Sequence, residues 1–146
     1  ELKRTDHLIF VSLKYTRTVD VLKNIIERMI NAIEFCVESL LNYCVENKKI
    51  PAMPVSHKEK ISNVLELYKE DEKIIQFMEL YQMLRKIRRA KYQKREEFRR
   101  HVTMIATLDD GKIVEVDMDK VKEFNDQTIE FINYIEEQTN QKPKYD

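Results

Sequence analysis

The sequence predicts an all-α fold: four helices around one core, with one small β-hairpin inserted before the last helix. Three observations lead there. Apolar residues recur at three- and four-residue steps over most of the chain, which is the helical period. One glycine and three prolines interrupt 146 residues, so few positions can bend or break a helix. A single Asp-Gly pair flanked by β-branched runs marks the one hairpin. With 42% hydrophobic and 36% charged residues, the chain is too apolar for disorder and can bury a core as one domain over residues 1–146.

The strongest pattern comes first. Leu22, Ile26, Met29, Ile33, Cys36, Leu40 and Cys44 form a stripe that Ile25, Ile30, Val37 and Leu41 widen. It predicts a helix over residues 18–47, about 45 Å long. That helix could start as early as Asp6, or the run Leu8-Ile9-Phe10-Val11 could be a strand, which leaves residues 6–17 open between the two. Ile50-Pro51-Ala52-Met53-Pro54 ends the helix. Ser56 and Glu59 then have capping-box spacing and open a helix over 56–69, with Ile61, Val64, Leu65 and Tyr68 inward. A third helix is predicted over 71–100, with Ile74, Phe77, Met78, Tyr81, Leu84 and Ile87 on its buried face. Its apolar pattern thins after Ile87. Val102–Thr107 and Lys112–Asp117 flank Asp109-Asp110-Gly111, a hairpin over 102–117. Asp117 or Asp119 caps the last helix, over 118–138, whose apolar face is Val121, Phe124, Thr128, Phe131, Ile132 and Ile135.

Several chemistries lack their residues. Cys36 and Cys44 lie about 12 Å apart along one helix, too far for a disulfide, and read as buried packing thiols in a reducing compartment. No Cys or His spacing suits a metal, a single glycine cannot build a phosphate loop, and no serine-nucleophile motif occurs. No cofactor and no metal are therefore expected. No apolar run approaches 18 residues and no leader pattern is evident, so no membrane association and a cytoplasmic location are expected.

The charge is balanced overall, 26 Lys and Arg against 26 Asp and Glu, but it is unevenly spread. Residues 85–100 hold Arg85, Lys86, Arg88, Arg89, Lys91, Lys94, Arg95, Arg99 and Arg100 against Glu96 and Glu97, a surplus of seven. Such crowding destabilises unless acids of the chain or an anionic ligand compensate it. Nucleic-acid phosphate is one such ligand, and six of the nine cations are arginines, suited to bidentate phosphate contacts. Arg85, Arg88, Arg89, Lys91, Arg99 and Arg100 are the expected nucleic-acid-binding residues, with Tyr92 and Phe98 placed to stack on bases. The alternative is internal compensation by the acidic last helix, through Asp117, Asp119, Glu123, Asp126 and Glu130.

Arg95 and His101 stand six residues apart in Arg95-Glu96-Glu97-Phe98-Arg99-Arg100-His101. On a continuous helix they would point roughly 120° apart, so they meet only where the helix ends or bends, or where a second subunit completes the site. Such a pair suits metal-independent RNA cleavage by the RNA's own 2′-hydroxyl, with His101 as general acid or base and Arg95 on the scissile phosphate. With the order of helices, this motif resembles the HEPN superfamily and its Arg-x4–6-His motif. The first long helix, the proline break and the capped second helix are similar to that family's. The resemblance implies an up-and-down four-helix bundle and a homodimer with the motif in the subunit cleft. It further implies either a ribonuclease of toxin–antitoxin or defence type, or a non-catalytic partner of a nucleotidyltransferase. Glu96 stands where the family often has Asn, Asp or His, and Thr103 where its toxins often have Tyr. RNA, a second copy, and a nucleotidyltransferase or antitoxin are thus the expected partners. A non-catalytic dimeric helical interaction module is the competing expectation.

Overall fold

The computed structural model describes residue 11 and residues 16–139. The question of helix or strand over residues 6–17 falls almost wholly outside them. Among the described residues four helices, α1 (Val19–Glu46), α2 (His57–Leu67), α3 (Glu72–Arg89) and α4 (Met118–Thr139), accompany three strands, β1 (Lys91–Arg95), β2 (Thr103–Thr107) and β3 (Ile113–Asp117). The strands form an antiparallel sheet in the order β1-β2-β3. The expected all-α bundle with a lone hairpin is therefore corrected: among the described residues the helices Val19–Glu46, His57–Leu67, Glu72–Arg89 and Met118–Thr139 pack with a three-stranded sheet.

The helices start where their caps stand. The Thr18 hydroxyl accepts from the Val21 amide at the head of α1. The Ser56 hydroxyl accepts from the Glu59 amide, and the Glu59 carboxylate reaches back to the Val55 amide rather than that of Ser56. Asp71 accepts from the Lys73 and Ile74 amides, and Asp117 from the Lys120 amide. Each bond satisfies an amide that the first helical turn leaves without a partner.

Helix α1 is the spine. It packs along α4, α3 and α2, and its stripe from Leu22 to Cys44 is almost wholly buried. Phe131 and Phe77 close the α3–α4 side, with ring centroids 4.8 Å apart. The sheet lies against the helices by one face, β2 on α1 and β3 on α4. Met104, Ala106 and Val116 are buried on that face, and Tyr92 and Val114 are half-buried. Alternation turns Lys91, Gln93, Arg95, Ile105, Ile113 and Glu115 outward.

The third helix stops at Arg89, eleven residues short of the expected 100. Two physical reasons account for this. Beyond Ile87 no apolar period remains to hold a helix on the core, and cations three and four apart would repel one another. Meanwhile β2 has one open edge, and Lys91–Arg95 pair with it in register, Lys91 opposite Thr107 and Arg95 opposite Thr103. Lys86, Arg88 and Arg89 remain in the last turn of α3, where cations favour the negative end of the helix dipole. Beyond them, the basic run is an edge strand and a turn.

Candidate nucleic-acid interface

Residues 96–102 connect β1 to β2 by two consecutive turns. The Arg99 amide donates to the Glu96 carbonyl, and the Val102 amide to the Arg99 carbonyl. Glu96 (φ 55°) and Phe98 (φ 65°) both have left-handed backbone. Phe98 is the third residue of the first turn, a position that with positive φ normally belongs to Gly or Asn. For a bulky aromatic that conformation costs on the order of 1–3 kcal/mol and persists only when the surroundings impose it.

Here the head of α1 imposes it. The Phe98 amide donates to the Arg17 carbonyl at 2.6 Å. The neighbouring Glu97 carboxylate accepts from the Val19 amide at 2.9 Å. A carboxylate at a helix N-terminus gains from the unpaired amides and from the dipole together. The turn is thus fastened at two adjacent residues to the start of the longest helix. Phe98 itself gains little packing, since the residue is 76% exposed.

The nine cations of residues 85–100 divide into three groups. Four have carboxylate partners: Arg88 with Glu27 at 3.1 Å, Arg89 with Asp109 at 3.1 Å, Arg95 with Glu115 at 2.7 Å and Lys94 with Glu97 at 4.0 Å. Arg85 is turned into the protein. Its guanidinium lies 5.7 Å from the Tyr81 ring centroid, and its buried Nε has no hydrogen-bond partner among the described residues. Lys86, Lys91, Arg99 and Arg100 form no ion pair among the described residues, and all four are exposed. Among the described residues Asp119, Glu123, Asp126 and Glu130 form no ion pair with the basic run, and of the acids expected to compensate it Asp117 alone adds its charge beside Arg95. The partners come from α1, the hairpin turn, β3 and the β1–β2 turn, while Glu123 of α4 pairs with Lys120 of its own helix. Exposed pairs of this kind contribute little to stability each, and their carboxylates offset part of the positive charge of the arm.

Arg95 ends β1, and His101 lies two residues before β2, so the pair flanks one turn instead of riding a helix. His101 is exposed; its carbonyl accepts from the Thr103 hydroxyl. Glu115 holds the Arg95 guanidinium above its ordinary pKa by its hydrogen bond and its charge, so Arg95 is a permanent cation and no base. No hydrogen bond joins Arg95 to His101. Tyr92 faces inward, and the Lys23 ammonium lies 4.3 Å from its ring centroid, which occupies the face expected to stack on bases.

Two features had no sequence signal: the Glu97 anchor, seventy-eight residues from its donor Val19, and the inward turn of Arg85. Elsewhere, a crevice of about 40 Å³ lies beside His57, Glu34 and Tyr81. Tyr81 donates to Glu34 at 2.7 Å, and burial, then that bond, pushes its phenol up. The space is about that of one water molecule, so the cluster is packing and not a substrate site. Among the described residues no three His, Cys, Asp or Glu side chains gather to hold a metal ion, and no helix is long and apolar enough to cross a membrane. No protein-family model, curated protein or solved structure matches this chain.

Proposed function

We propose that this protein binds RNA, through the edge of β1 and the β1–β2 turn. One observation carries the reading. Lys91, Arg99 and Arg100 are exposed and have no ion pair among the described residues, and they line one continuous strand edge and turn. Their mutual repulsion is an energetic cost that phosphate removes. The reading retains the RNA target that the HEPN resemblance implied and sets aside the bundle. Arg88 and Arg89, held by Glu27 and Asp109, shape the field behind the contact residues. Arg85 faces the protein and Tyr92 lies under Lys23, so neither takes part.

Binding is better supported than cleavage. In the cleavage scheme Arg95 must hold the scissile phosphate, yet its guanidinium is engaged by Glu115 at 2.7 Å. The test is titration of fluorescent single-stranded RNA with purified protein at low and moderate salt, with gel analysis of the same samples. Salt-sensitive binding of intact RNA, weakened in Arg99→Ala/Arg100→Ala, is expected. Absence of binding at low salt rejects the reading. Strand scission that disappears in His101→Ala replaces it with the nuclease.

A further inference from the structure

Resting on that RNA-binding reading, we infer that the β1–β2 turn selects single strands, with the Phe98 ring as a stacking platform for one unpaired base. The ring is costly where it stands. A left-handed turn position is cheap for glycine and strained for phenylalanine, and Phe98 holds it at φ 65° while 76% exposed. The fold gains little burial from this side chain, so its return lies outside the fold. The two bonds to the head of α1, from the Phe98 amide and to the Glu97 carboxylate, keep the ring on a fixed base, so little freedom is lost when a ligand meets it.

The neighbours define the ligand. Arg99 and Arg100 follow the ring directly, exposed and without ion pairs among the described residues. Cations beside an exposed aromatic suit a phosphate backbone whose base is turned out. In a duplex both faces of each internal base are already stacked, so the ring has nothing to receive, whereas a single strand offers a π-face with every base. Any base serves, so the turn distinguishes strandedness and not sequence.

Phe98→Trp supplies the probe, because the chain contains no other Trp. Its emission should be quenched by a ten-uridine RNA strand, which has little stacking of its own, and not by a short RNA duplex. Phe98→Gly and Phe98→Leu should weaken binding of the ten-uridine strand roughly five-fold or more and leave duplex binding unchanged. Phe98→Gly should unfold at the same or a higher urea concentration than the parent, since it relieves the left-handed strain. A parent that binds the strand, with Gly and Leu variants that bind it equally well, overturns this inference and leaves charge-driven RNA binding standing. The ring would then belong to a protein contact. A parent that binds neither RNA at low salt rejects the RNA reading itself, and this inference with it.

Discussion

Single side chains in this protein hold positions that elementary chemistry makes testable. Burial, and then the charge of Glu136, push the Cys36 thiol from 9.0 up to about 11. The folded chain therefore keeps the neutral thiol where the unfolded chain would ionise it. The resulting stability is fully present below pH 9 and is lost as pH rises towards 11. In the same alkaline range Tyr134, which donates to Asp71 at 2.6 Å, is pushed up to about 12 by that bond and by burial. Urea midpoints measured from pH 8 upward should fall above pH 9. Iodoacetamide at pH 8 should leave Cys36 unlabelled until denaturant is added; rapid labelling of the native protein would contradict the burial. Glu97→Ala removes a charged acceptor from the head of α1 and should cost about 1 kcal/mol, read as a lower urea midpoint.

At the scale of elements, the helices were legible and one strand was not. Thr18, Ser56, Asp71 and Asp117 are capping residues standing just before apolar runs of helical period, and all four cap. Gly111 was legible as a turn because its φ of 87° suits only the residue without a Cβ. Gly111→Ala should cost about 1 kcal/mol for that reason alone, since nothing lies within 4 Å of the added methyl. β1 was not legible, because Lys-Tyr-Gln-Lys-Arg has no alternating apolar pattern. It is a strand because β2 offers an edge sixteen residues away in register, Lys91 to Thr107, a fact that no local window contains. The same holds for Arg95 and His101. Their spacing was visible, but only the early end of α3 shows that they flank a turn. In the helical layer, Phe131 is fully buried against Phe77. Phe131→Ala should therefore lower stability by about 3–5 kcal/mol, measurable by chemical denaturation.

Over the whole molecule, zero net charge hides a separation of sign. The cations without an ion pair among the described residues are gathered at the end of α3, on the strand edge and in the turn, while α4 keeps most of its acids in solvent. If the protein binds RNA as proposed, it should approach the strand in one orientation, and its affinity should fall with salt. If Lys91, Arg99 and Arg100 each meet one phosphate of a single strand, the slope of log affinity against log salt should be roughly −2. Each alanine substitution at Lys91, Arg99 or Arg100 should make that slope shallower by about 0.7. A flat salt dependence would show that these cations serve another purpose, such as guarding an open sheet edge against strand addition.

The hydrogen bond from the Val19 amide to the Glu97 carboxylate closes a circuit of seventy-eight residues and ties the first turn of α1 to the turn that follows α3 and β1. It acts as a latch. The peptide bond between Arg99 and Arg100, an obvious target for trypsin, should resist cutting while the latch holds and yield when Glu97→Ala springs it. Amide exchange at Val19 and at Phe98 should quicken together in that variant, so that the first turn of the spine and the tip of the basic arm loosen as one unit.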